Sequence, residues 1–184
     1  NEFYGLIYAS ASEEKPMALK NACLDMFDAL KAGKPNVRIF HSTGIENLDN
    51  AVEGFKLINE TWNYVETVFP YKRVFTKYEM SMVCNCMDII LQSSSLKKMY
   101  LDLLEPFSRE VSSNKGKLLL ETLETFVLDA SMKSNKTAEF MSIHNNTVQY
   151  RLKRINEILG AEMTGNRIIP GLTMALALRR LEDQ

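Results

Sequence analysis

Residues 142–157, SIHNNTVQYRLKRINE, combine side-chain types and spacing that suit one chemistry, recognition of a nucleic acid. Asparagine, glutamine and arginine carry donor and acceptor pairs that match base edges in a major groove, while threonine, tyrosine and lysine suit phosphate oxygens. On a helix advancing about 100° per residue, Val148, Leu152 and Ile155 fall at i, i+4 and i+7 and form one narrow apolar seam. The opposite direction carries Asn146, Tyr150, Lys153 and Glu157, flanked by Gln149 and Arg154. The expected DNA-binding set is therefore Asn145, Asn146, Thr147, Gln149, Tyr150, Arg151, Lys153 and Arg154. Within it Asn145, Asn146, Gln149 and Arg154 are assigned to base edges, and Thr147, Tyr150 and Arg151 to phosphates with help from free N–H groups at the helix start. Lys153 supplies phosphate charge. The same pattern also fits an amphipathic hairpin that never meets DNA, and Asn145 and Asn146 also suit helix caps.

Such a face needs a frame. A short helix over Thr137–Met141 offers the small Ala138 where two helices cross, with Phe140 for the core. Ser142–Asn146 forms a break that Ile143 plugs, and Thr147–Leu159 forms the outward helix. Further helices are expected over Met80–Leu91, Leu96–Leu104, Leu118–Ala130 and Leu172–Leu181. The first half differs. Phe3–Ala9 and Val37–His41 read as strands, Pro16–Ala32 as a helix stopped by Gly33, and Arg73–Thr76 as a further strand. Leu48–Val68 carries a helical stripe that Pro70 ends. The fold class expected is α+β: a small N-terminal strand–helix–strand layer over residues 1–114, then an all-α helix-turn-helix domain over 115–184, with the break at Ser112–Gly116.

Composition narrows the function classes. With 46% hydrophobic and 24% charged residues among 184, the chain can bury a core, which sets it apart from disordered or fibrous sequences. The net charge of −1 conceals an asymmetry: 12 basic against 15 acidic side chains in residues 1–114, a net of −3, and 10 against 8 afterwards, a net of +2. A pI near 6.2 argues against indiscriminate nucleic-acid binding, so any DNA contact has to be local and geometrically specific. Three cysteines, Cys23, Cys84 and Cys86, are read as reduced, packed thiols rather than disulfides or metal ligands. The absence of an export signal and of an apolar run of about 18 residues leads to a cytoplasmic expectation without membrane contact. Phosphate-loop, dinucleotide, zinc-protease and hydrolase motifs are all missing, and Glu121 with Glu124, like Glu13 with Glu14, reads as a solvated pair. The expectation is no enzyme, no cofactor and no metal.

The run from Leu118 to Gly160 closely resembles the C-terminal helix-turn-helix of the PucR and CdaR family of bacterial transcriptional regulators. The matching submotifs are Leu-Leu-Glu-Thr-Leu at 119–123, Thr137-Ala138, Ile143-His144, Asn146-Thr147, and Tyr150-Arg151-Leu152 leading to Arg154-Ile155; Leu172–Leu181 resembles the closing helix. Asn145 stands where the family often has arginine, one cation fewer where the outward helix begins. The first half is similar, more weakly, to the degenerate cyclase-like (GGDEF-like) domain of such regulators, without the cyclase signature. The resemblance implies a sequence-specific DNA-binding regulator acting on double-stranded operator DNA as a homodimer, with a small-molecule effector bound upstream of Asn1. The competing expectations are a helical protein–protein interaction or dimerisation module of a signalling protein and, third, a nucleotide-processing enzyme.

Overall fold

The computed structural model describes residues 16–31, 38–41, 47–110, 114–163 and 167–183. The strand expected at Phe3–Ala9, the carboxylates Glu13 and Glu14, the stop at Gly33 and residues 112–113 of the break lie outside them. In chain order the elements are α1 (Pro16–Lys31), β1 (Ile39–His41), α2 (Leu48–Val68), β2 (Val74–Thr76), α3 (Lys77–Gln92), α4 (Ser94–Asp102) and α5 (Glu105–Glu110). Then follow α6 (Asn114–Glu124), a π-turn (Thr125–Asp129), α7 (Ser134–Met141), α8 (Asn145–Leu159) and α9 (Ile168–Glu182). Helices dominate, a two-stranded parallel sheet is the β component among the described residues, and the last third is a helix-turn-helix.

The sheet pairs Ile39 with Val74, Phe40 with Phe75 and His41 with Thr76, and α2 is the crossover that two parallel strands require. Helix α2 starts where Asn47, in extended backbone, accepts the Asn50 N–H at 2.9 Å. It stops before Pro70, which biases Phe69 out of helical geometry. Its buried face is Thr61, Val65 and Val68. Phe40 stacks on Phe75 with ring centroids 5.1 Å apart. Thr76 ends β2 and opens α3 through a reciprocal capping box with Glu79, whose carboxylate also pairs with Lys72. Burial pushes the Glu79 carboxyl up, but the hydrogen bonds from Lys72 and Thr76 outweigh it and hold it below the usual glutamate range.

One buried cluster joins Val65, Val68, Phe75, Met80 and Val83 of the first half to Leu119, Leu123, Ile155, Leu176 and Leu178 of the second. Helix α9 is its axis. Residues Ala175, Leu176, Ala177 and Leu178 are consecutive and all buried, so this helix has no solvent side along its middle. Helices α2, α3 and α4 pack on it, as does the π-turn, and Lys97 of α4 meets Glu182 at 2.8 Å.

Two local features differ from the expectation. The single helix expected over Leu118–Ala130 is α6 followed by the π-turn, in which the Ala130 N–H reaches back five residues to the Thr125 carbonyl at 2.8 Å. Ser131 and Met132, both at positive φ (51° and 57°), then turn the chain, with the Met132 N–H bonded to the Phe126 carbonyl at 2.8 Å. Helix α5 was not expected. Its six residues are too few to show a period, yet Pro106 suits a first helical turn and Phe107 is fully buried. Cys23 and Cys86 are buried and Cys84 is half-buried, all as free thiols, and burial pushes the Cys86 thiol up to about 12.

Candidate nucleic-acid interface

Helix α7 ends as helices often do before a tight turn, except for the residue used. Ser142 adopts the left-handed conformation (φ 53°, ψ 42°), its N–H bonds the Glu139 carbonyl at 3.1 Å, and the Ile143 N–H bonds the Ala138 carbonyl at 3.0 Å. This pair of bonds satisfies two terminal carbonyls and commonly relies on glycine. Two residues later, His144 caps α8 by accepting the Asn146 N–H through Nδ1 at 3.1 Å. The outward helix thus begins at Asn145, two residues before the expected Thr147, and Asn145 and Asn146 lie in its first turn rather than serving as caps. It ends at Gly160 (φ 65°), where the Gly160 and Ala161 N–H groups bond the Glu157 and Asn156 carbonyls. The Asn156 side chain then accepts the Met163 N–H at 3.2 Å and holds the exit loop to the core.

The seam is where the periodicity placed it: Val148 and Ile155 are fully buried and Leu152 is half-buried against the cluster. Ala138 is buried at the α7–α8 crossing. Phe140, expected in the core, instead stacks on Tyr71 beyond the end of α2, with centroids 4.7 Å apart and planes 8° from parallel. An aromatic contact therefore ties the first half to α7. The open groove beside it, about 460 Å³, is lined by Tyr71, Phe140, Glu121, Glu124 and Arg180 among others.

Of the eight expected contact residues, the structure exposes six together: Asn146, Thr147, Gln149, Tyr150, Lys153 and Arg154. Tyr150 is 72% exposed. Arg154 bonds Glu157 at 2.9 Å in a half-exposed ion pair one turn along the same face. Such a pair contributes roughly 0–1 kcal/mol. The other two residues turn inward. Asn145 is half-buried, its Oδ1 shielded from solvent without a hydrogen-bond donor among the described residues. Arg151 is half-buried and donates through Nη1 to the Thr122 hydroxyl at 3.1 Å. At about 100° per residue both lie about 60° from Val148, one on each side of the seam, a signal available in the sequence but outweighed by residue type.

The expected solvated pair Glu121 and Glu124 is corrected at Glu124, which is buried because α9 supplies its partners. Arg179 bonds it directly and Arg180 Nε lies 3.9 Å from it. Arg180 also makes a two-pronged contact with Asp129, Nη2 to Oδ2 at 2.8 Å and Nη1 to Oδ1 at 3.3 Å, and donates to the Val68 carbonyl at 2.6 Å. Burial pushes both the Glu124 and Asp129 carboxyls up against the pull of these arginines. The π-turn is what brings Asp129 within reach. No set of three or more His, Cys, Asp or Glu among the described residues is grouped to hold a metal ion, and no described helix is long and apolar enough to cross a membrane.

Two helices joined by a tight turn, the second buried along one seam and polar on the other side, define a helix-turn-helix. Residues 119–178 match the family model of the PucR C-terminal helix-turn-helix domain. The chain is 30% identical to the purine catabolism regulatory protein of Bacillus subtilis (strain 168) over 92 residues, half of this chain and 17% of that protein. It is 41% identical to the DNA-binding transcriptional activator AdeR of the same organism over 58 residues, 32% of this chain and 13% of that one. These matches span less than a fifth of either relative. No solved structure matches the chain.

Proposed function

We propose that this chain belongs to a sequence-specific DNA-binding regulator of transcription, in which α8 enters the major groove of double-stranded operator DNA. The observation that carries the reading is the six-residue polar face of α8, exposed as a unit because the opposite seam is locked into the core. Asn146, Gln149 and Arg154 face base edges; Thr147, Tyr150 and Lys153 face phosphates. The chain acts by binding rather than by catalysis, and a homodimer presents two α8 helices about 34 Å apart, one per helical turn of DNA. In the same reading the β1–α2–β2 unit belongs to the degenerate cyclase-like domain, an upstream segment binds a small-molecule effector, and the protein works in the cytoplasm.

The test is binding of the full chain to DNA from its own promoter region, measured by fluorescence anisotropy across a salt series. Gln149→Ala should relax base preference. Lys153→Ala should weaken all sequences alike and lower the salt slope by about 0.9, one phosphate contact. Glu157→Gln, which removes the ion pair with Arg154 and an anion from the face, should strengthen non-specific binding. Absence of salt-dependent binding, or indistinguishable effects of the Gln149 and Lys153 substitutions, refutes the assignment.

A further inference from the structure

We propose that Arg151 is a positioning residue that sets the roll of α8 from behind through the Thr122 hydroxyl of α6, and that it makes no phosphate contact; this rests on the reading of α8 as the DNA-entering helix. Thr122 is fully buried, and its hydroxyl donates its one proton to the Leu118 carbonyl at 2.7 Å. A hydroxyl has one donor and two acceptor lone pairs, so the Thr122 oxygen is left as an acceptor, and the Arg151 guanidinium fills that role at 3.1 Å. Thr61, Thr125, Thr137 and Thr173 fold their hydroxyls back onto the i−4 carbonyl in the same way. Thr122 is distinguished by also receiving a donor from another helix.

The seam of Val148, Leu152 and Ile155 decides which side of α8 faces inward, but apolar contact is non-directional and tolerates small rotations. A hydrogen bond on one flank of the seam does not. With side chains reaching about 5–6 Å from the helix axis, a roll of about 10° moves Gln149 or Asn146 by about 1 Å. That displacement is enough to spoil a two-point contact with a base edge. The Arg151–Thr122 bond thereby links α6 to base reading, although neither residue lies on the exposed face.

The variants are Arg151→Met, Thr122→Val, their combination, and Thr122→Ser, which keeps the hydroxyl. Each is tested in the full chain on promoter DNA and on unrelated DNA over a salt series. The expected result is a specificity ratio about tenfold lower in Arg151→Met and in Thr122→Val, from the weakening of one base contact. The double variant should be no worse than either single, Thr122→Ser should resemble wild type, and every salt slope should stay unchanged. A slope lowered by about 0.9 in Arg151→Met alone marks a phosphate contact and overturns the proposal. So does additivity of the two substitutions. If the wild-type chain binds neither DNA, the DNA reading fails by itself; the urea midpoints of the same four variants then test the bond, which predicts non-additive shifts and is refuted by additive ones.

Discussion

Replacing Arg180 by methionine removes the donor from three acceptors at once while keeping much of the side-chain volume. The Asp129 side chain has no exposed surface and that of Arg180 is 14% exposed, so solvent offers little compensation. Breaking a buried ion pair by deleting one partner costs about 3–5 kcal/mol. An upper limit comes from the alternative open to the stranded carboxylate, which is to take up a proton. From an ordinary aspartate value of about 3.9, that costs roughly 4 kcal/mol at pH 7, at about 1.36 kcal/mol per pH unit. For a chain of this size the expected fall in Tm is about 6–16 °C. The sign with pH follows: without Arg180 the Asp129 carboxyl rises further above its unfolded value, so the variant keeps its stability in acid and loses it as pH rises through the raised folded value. Urea unfolding followed by circular dichroism at pH 5 and pH 7 should therefore show a larger deficit at pH 7. Adding Asp129→Leu should recover most of it, since the stranded carboxylate is then gone. A deficit below about 1 kcal/mol at both pH values, or one of equal size at both, refutes the description of Asp129 as a charge held inside by Arg180.

Ser142→Gly should stabilise the chain by up to about 1 kcal/mol, because the left-handed conformation costs an L-residue roughly 1–2 kcal/mol, part of which the greater freedom of unfolded glycine offsets; Gly160→Ala, with no atom within 4 Å of the new Cβ, should lose about as much through its φ of 65°, and both are read as urea midpoints. Glu79→Gln and Glu124→Gln should respond to pH in opposite ways. Glu79 is held low, so its contribution is present above the unfolded glutamate value and lost as pH falls through the lower folded one. Glu124 is held high, so the wild-type advantage over Glu124→Gln is largest below the unfolded value and shrinks as pH rises through the folded one; parallel pH dependences of ΔTm for the two variants contradict the assignment.

Long, regular patterns were legible. The stripe of α2 ended by Pro70 marks the extent of that helix, and the seam of Val148, Leu152 and Ile155 marks the inner side of α8. Short or borrowed features were not. Helix α5 has six residues and no measurable period. The start of α8 depends on an imidazole acting as a cap, a role usually given to Ser, Thr, Asp or Asn. Phe140 is apolar in any reading, and its partner Tyr71 lies 69 positions earlier in the chain.

By itself, the sequence determined which faces of its helices are apolar and which residues could meet a nucleic acid, because periodicity and side-chain chemistry are local properties. Tertiary structure decided which polar residues acquire an inward partner. Glu124 reads as a surface charge until Arg179 and Arg180 of α9 cover it, and Arg151 reads as a phosphate contact until Thr122 receives it. The burial of a charged or hydrogen-bonding group depends on a partner 29 to 55 positions away, and no local pattern encodes a distant donor or acceptor.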